Sequence, residues 1–298
     1  MTAAVNEALR ARVRNLEGMP AMPAILAPLL RCLELPADQI EIEKVVELIS
    51  CDKSIAAQCL RLANSALFSR HSKIETIRGA VITLGARRLR DLLWSSFLMR
   101  MSPEKGQWPI NPLRFWEHSF ACALVSQQLA KKVALPGLER VYLCGLLHDI
   151  GELVNATLLP AEFRSAAEFA IRKSVPLFEA EKEVLGFTHC DTGKMLGEYW
   201  NLSPDVQDVI EFHHNPEQAE APGALVALVN LSDLLCRLRG MGYGYDELRE
   251  IRFQEVPAWS LLGRAVPLLE HFDVARFTME LDAEAEEIRE LVAAAFKN

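Results

Sequence analysis

Leu146-Leu147-His148-Asp149-Ile150-Gly151-Glu152 is the stretch whose reading decides the fold. A histidine and an aspartate stand side by side within an apolar run from Val141 to Leu153. Two ionisable neighbours inside such a run are costly unless something satisfies them. A metal ion does so, because neutral imidazole and carboxylate are both good ligands and a carboxylate can bridge two ions. The plainer alternative is an aspartate that accepts a hydrogen bond beside a core histidine, as most buried polar groups do.

The pair is not alone. Five of the seven histidines fall in one ordered series: His118, His148, His189, His213 and His214. Asp233 follows in the apolar, helix-like segment Ala224 to Leu238. So many ligand-type residues in sequence argue against independent accident. Around them the periodicity is helical. Phe115 to Val133 reads as a helix carrying His118, and Ala134 to Leu138 as a turn. Leu138 to Leu153 reads as one central helix carrying His148 and Asp149. Residues 160–173 and 176–185 read as two more helices, and His189 falls in a loop or first turn. Pro204 opens the helix that delivers His213 and His214, and residues 223–238 carry Asp233.

Upstream, residues 3–16 suit a short amphipathic helix. Met19-Pro20-Ala21-Met22-Pro23-Ala24 places prolines for a turn and a helix start. Helices follow over 24–34 and Ile42–Ile49. Asp52 is a good N-cap for a helix over Lys53–Ala66, which sets Ile55, Cys59, Leu62 and Ala63 at core spacing. Asn64 and Ser65 read as helix-ending residues rather than a binding surface. A further helix runs from Ala86 to about Met99. Residues 101–113, MSPEKGQWPINPL, read as a linker or long loop. The acidic tail, about 245–298, carries an apolar stripe of Phe277, Leu281, Ile288, Leu291, Val292 and Phe296. That stripe is expected to pack on the body, with a partner or homodimer surface as the sharper alternative. No strict alternation or hairpin turn stands out, so the fold class is all-α. Bundle interiors build metal sites from side chains on different helices.

The bulk numbers narrow the function. In 298 residues, 32 Lys and Arg face 40 Asp and Glu, for a net charge of −8. That balance excludes a broad nucleic-acid footprint, which needs clustered cations. The local exception, Ala86-Arg87-Arg88-Leu89-Arg90, reads as a solvated helix face. The seven cysteines form no CxxC pair and suit a reducing compartment. No signal-peptide core or membrane-length apolar run is seen, so a cytoplasmic, membrane-free protein is expected.

The His118, His148-Asp149, His189, His213-His214, Asp233 order resembles the HD superfamily of metal-dependent phosphohydrolases, and most of all its binuclear HD-GYP branch. MPAMPA, LRLANSALF and IRGAVITLGARRLRDL over about 18–100 resemble the opening of HDOD domains, a regulatory relative. Together the likeness spans roughly residues 18–240. It implies an HD-like bundle over 108–243, an N-terminal helical subdomain over 18–107 and a helical tail over 244–298. It implies one or two divalent ions (Fe, Mn, Zn or Mg). His118, His148, Asp149 and Asp233 match the family's four-ligand set. Asp149 would bridge, and His189, His213 and His214 would serve the second ion. Two departures stand against hydrolysis. Glu152 occupies the position of a phosphate-contacting lysine, and no Gly-Tyr-Pro follows. Arg114 stands where a third-metal glutamate is expected. The resemblance therefore implies a bacterial signal-transduction module with signalling-protein partners or a small nucleotide-like ligand, and leans away from an enzyme. A metal-dependent phosphohydrolase acting on a nucleotide or cyclic dinucleotide is the alternative, and a scaffold with an empty site the third reading.

Overall fold

The structure, a computed structural model, describes residues 3–19, 21–22, 24–33, 35, 39–64, 73–101, 108, 110–137, 140–219, 223–245 and 251–295. Among these there are fifteen α-helices and no strand. The chain divides into two compact units, one of Met1–Met19 with Pro103–Ala283, the other of Pro20–Ser102 with Glu284–Asn298.

The smaller unit contains α2 (Leu26–Leu33), α3 (Ile42–Ser50), α4 (Lys53–Ala63) and α5 (Ile77–Met99). Asp52 does cap α4, accepting from Ile55 N at 3.0 Å. The helix stops at Ala63 rather than Ala66, because Asn64 turns its amide to other backbone. Its Nδ2 donates to Ile74 O at 2.7 Å and its Oδ1 accepts from Ile74 N at 2.7 Å. That supports Asn64 as a helix terminator; Ser65 lies outside the described residues. The helix expected from Ala86 starts nine residues earlier, with Thr76 capping Gly79 N at 3.0 Å. Gly85, at φ 70°, kinks it. The expected arginine face is corrected in part. Arg87 and Arg88 are outward, but Arg90 is only 8% exposed and lies 3.9 Å from Asp91.

The larger unit opens with α1 (Ala3–Arg14), then α6 (Pro112–Lys132), α7 (Val141–Leu147), α8 (Ile150–Leu158), α9 (Pro160–Lys173) and α10 (Leu177–Val184). It continues with α11 (His189–Tyr199), α12 (Pro204–Phe212), α13 (Ala224–Leu238) and α14 (Pro257–Ala265). Helix α15 (Val274–Ala295) begins in this unit. Leu9 and Val13 of α1 pack with Leu159, Ala166, Leu185 and Phe187. Arg12 adds a hydrogen bond to Leu158 O at 3.0 Å, satisfying a carbonyl at the end of α8. Of the stretch expected as a linker, Trp108 and Ile110 are buried, and Asn111 and Pro112 open α6; residues 102–107 and 109 lie outside the described ones. Phe277, Leu281, Ile288 and Val292 of the tail stripe are buried. Phe296 lies outside the described residues. Among the described residues no helix is long and apolar enough to cross a membrane. All seven cysteines are free thiols.

The single central helix expected over Leu138–Leu153 is corrected: α7 ends at Leu147 and α8 begins at Ile150. Asp149, at φ −99° and ψ 15°, is the break. The reason is geometric. Consecutive residues of an unbroken helix point about 100° apart. The interruption lets His148 and Asp149 turn to the same interior.

Candidate metal centre

Helices α6, α7, α8, α11, α12 and α13 converge on Asp149 because small residues let them approach. A Cβ on Gly145 of α7 would come 2.7 Å from Ala123 Cα of α6. A Cβ on Gly151 of α8 would come 1.8 Å from His189 O at the start of α11. Residue 189 is held there by a capping box, in which Asp191 Oδ2 accepts from Thr188 N at 2.8 Å. His213 and His214 follow the last residue of α12, and Asn230 of α13 donates to His213 O at 2.6 Å.

All seven predicted residues are brought together. Oδ2 of Asp149 faces one group: His148 Nε2 at 2.9 Å and His118 Nε2 at 3.3 Å. His118 Nε2 is in turn 3.2 Å from Asp233 Oδ1 and 3.2 Å from His148 Nε2. Oδ1 of Asp149 faces another: His189 Nε2 and His213 Nε2, each at 3.2 Å. His214 Nε2 joins this second group, 3.1 Å from His189 Nε2. His118, His148, Asp149, His189, His213 and Asp233 are each 3% exposed or less, and His214 is partly exposed.

The other ring nitrogens decide the protonation pattern. His118 Nδ1 is 2.7 Å from Met241 O, and His148 Nδ1 is 2.8 Å from Gly145 O. His213 Nδ1 is 3.1 Å from both Val209 O and Ile210 O. His189 Nδ1 is 2.7 Å from Glu181 Oε2. Carbonyls and carboxylates only accept, so each Nδ1 carries the hydrogen and each neutral ring keeps its lone pair on Nε2. Four lone pairs then converge on one carboxylate. Two of them 3.2 Å apart repel unless a cation or proton stands between.

A metal ion fits this donor set. Two donors roughly 2.1 Å from one ion, at roughly right to tetrahedral angles, stand about 3.0–3.4 Å apart. The spacings here run from 2.9 to 3.4 Å. Carboxylate or carbonyl partners behind each ring are the usual outer support of ligating histidines. Buried Asp149 Oδ1 also lacks a hydrogen-bond partner. Without an ion, protons take the place. Burial disfavours the charged form of His118, but bonding to Asp149 and Asp233 prevails and lifts it to about 10. Burial likewise opposes charge on His213, and Cys190 and Asp149 lift it to about 10. Burial holds His148 below its usual value and His214 far below. Burial would raise Asp149, yet the rings, His148 first, hold it well below the carboxylate range.

Four residues were missed in the sequence. Glu181 orients His189, taking its backbone N–H at 2.8 Å as well as Nδ1, and is itself held by Asn155 Nδ2 at 2.8 Å. Tyr243 donates its hydroxyl hydrogen to Asp149 Oδ2 and packs edge-on to His118. Arg237 Nη2 sits 3.1 Å from Asp233 Oδ2, one turn along α13. Only the last had a local signal, the i, i+4 spacing. Glu152, at the position of the phosphate-contacting lysine, is fully buried beside Asp149. Arg114 pairs with Glu117 at 2.8 Å, one turn away.

Comparison with known proteins agrees with this architecture. A protein from Treponema pallidum (strain Nichols) with no assigned activity is 27% identical over 240 residues, 78% of this chain; the chain spans 45% of that relative's length. The crystal structure of an HDOD domain protein with unknown function from Geobacter sulfurreducens superposes with TM-score 0.83 at 28% identity, covering 99% of both chains. One from Shewanella amazonensis SB2B, provisionally described as a phosphohydrolase, gives TM-score 0.72 at 25% identity over 96% of this chain and 98% of its own. The HDOD domain profile matches residues 19–216, and on that match the chain belongs to the HDOD family.

Proposed function

We propose that this chain is a regulatory signal-transduction module whose buried His–Asp centre binds one or two divalent ions and does not turn over phosphodiesters. The observation that carries the reading is the pairing of a complete, pre-oriented donor set with Glu152. A carboxylate stands buried beside Asp149 where the hydrolytic branch resembled above has a phosphate-contacting lysine. Burial and the neighbouring Asp149 push the Glu152 carboxyl well above the usual carboxylate range, so the position lacks the positive charge with which an ammonium attracts a phosphate. His118, His148, Asp149 and Asp233 would hold one ion. Asp149, His189, His213 and His214 would hold the other. Its partners, on this reading, are signalling proteins or a small nucleotide-like ligand in a cytoplasmic setting.

A second reading, a metal-dependent phosphohydrolase, has two observations in its favour. One is the relative provisionally described as a phosphohydrolase. The other is a cavity of about 560 Å³ lined by His214, Asn230, Leu234, Arg237 and Arg252, which reaches the edge of the centre. A bound ion would lower the pKa of water and neutralise phosphoryl charge. In such a site Glu181 would fix His189 and Tyr243 would orient Asp149. One experiment separates the readings. The chain is loaded with Mn²⁺ or Fe²⁺ and incubated with nucleoside mono- and triphosphates, cyclic dinucleotides and a nitrophenyl diester. We expect bound metal without turnover. Turnover that Asp149→Ala abolishes would overturn the regulatory reading.

A further inference from the structure

Glu152 is a buried carboxylate of the centre that the ligand series leaves unexplained. It stands in the first turn of α8, is 0% exposed, and neither of its oxygens has a hydrogen-bond partner. The nearby phenol of Tyr243 has one hydrogen and gives it to Asp149 Oδ2. An ionised carboxylate taken out of water without a partner costs several kcal/mol. Here the cost is compounded, because Asp149 and Glu181 lie close enough to add like charge. Yet one oxygen each from Asp149 and Glu152 and one ring nitrogen of His189 lie within 4.8 Å of one another. Only a cation, or a proton held there, makes that grouping favourable.

We propose that Glu152 is itself a ligand of the second divalent-ion position, joining Asp149 and His189, with His213 and His214 alongside. The inference rests on the metal centre proposed above and deepens it. Two carboxylates with imidazoles suit Mn²⁺, Fe²⁺ or Zn²⁺ rather than a soft copper ion. Catalytic metal sites keep a position for water or substrate, while structural ones fill their positions with protein ligands. A side-chain carboxylate at Glu152 occupies such a position, so the ion is held by the chain rather than offered to a phosphate. The residue that stands in place of a phosphate-contacting lysine thus acquires a purpose of its own.

The test is calorimetric titration of the full, metal-free chain with Mn²⁺, beside Glu152→Gln, with thermal unfolding of each form. We expect two equivalents in the unaltered protein. Glu152→Gln keeps one at unchanged affinity and binds the second at least tenfold more weakly. Its metal-free Tm is equal or higher, since a buried carboxyl with no hydrogen-bond partner is gone. Its gain in Tm on adding Mn²⁺ is smaller. Glu152→Asp, which keeps the charge but shortens the reach, weakens the second equivalent too, and serves if Glu152→Gln fails to fold. Two equivalents of unchanged affinity in Glu152→Gln would overturn this inference and leave the metal centre standing. A single equivalent in both proteins would do the same. No Mn²⁺ bound by the unaltered protein would overturn the centre and this inference together.

Discussion

Replacing Gly151 with alanine tests whether the centre depends on the contact between α8 and α11. The new Cβ would lie 1.8 Å from His189 O and 2.7 Å from His189 C, both backbone atoms. Ordinary contact begins at 3.4 Å, and below 3.0 Å something must move. The helices would have to part by roughly 1.2–1.6 Å, since no flexible side chain can yield. Directed along the His189–Asp149 contact, that displacement would stretch 3.2 Å well past 4 Å. Metal sites tolerate about 0.2 Å. Overpacking costs about 1–3 kcal/mol or more, against a gain of about 1 kcal/mol for alanine over glycine within a helix. We expect a net loss of about 2 kcal/mol, roughly 4 °C or more in the Tm of the metal-free chain. Mn²⁺ binding at the Asp149–His189 side should fall at least tenfold. Gly263→Ala is the control: in α14 its Cβ meets only Leu269 Cδ2 at 3.8 Å, so it should be neutral or stabilising. A Gly151→Ala chain as stable as Gly263→Ala, with metal binding intact, would refute the close approach.

Other perturbations have equally definite outcomes. Tyr243→Phe removes the donor to Asp149 Oδ2 and should weaken metal binding about tenfold, the usual effect of losing such support; unchanged affinity in a titration would exclude that role. In the metal-free chain His118 and His213 are lifted from 6.5 to about 10. A raised folded-state value contributes stability that is full below about pH 6.5 and is lost as pH rises towards 10. An ion competes with those protons, so the Tm gain from Mn²⁺ should grow over pH 6.5–9 while the Tm in chelator falls. A chelated Tm that climbs across that window would contradict the assignment. Asn64→Ala, which removes the two-way bond to Ile74, should cost about 1 kcal/mol or more in denaturant unfolding; a smaller loss would make that bridge incidental.

Much of the larger unit was legible because its helices carry apolar faces and polar punctuation. Pro160 and Pro204 mark starts that the structure keeps, whereas the helix read from Phe115 opens three residues earlier, at Pro112 with Asn111 as its cap, inside the stretch read as a linker. The ordered histidines were legible because few other residue types recur so sparsely at such places. The break at His148-Asp149 was not. Nothing local distinguishes Leu147-His148-Asp149-Ile150 from a continuous apolar helix, and the interruption follows from packing against α11. Arg90 escaped for a related reason: a run of three arginines suggests a solvated face, while its burial is set by tertiary contacts. Glu181 lies 8 residues from His189 and Tyr243 lies 94 from Asp149, distances over which a single sequence carries no pairing signal.

The backs of the rings have an implication for how this centre tolerates change. His118, His148 and His213 are oriented by main-chain carbonyls of Met241, Gly145, Val209 and Ile210. No exchange of side chains at those four positions deletes an acceptor, so three of the rings have mutational robustness built into the path of the backbone. His189 is different. Its orientation depends on the side chain of Glu181, which depends on Asn155. Drift in sequence can therefore erode the second ion position through two residues that touch no metal, while the first persists. Related chains that have lost one ion and kept the other would be expected to differ first at Glu181 or Asn155, with all their histidines still in place.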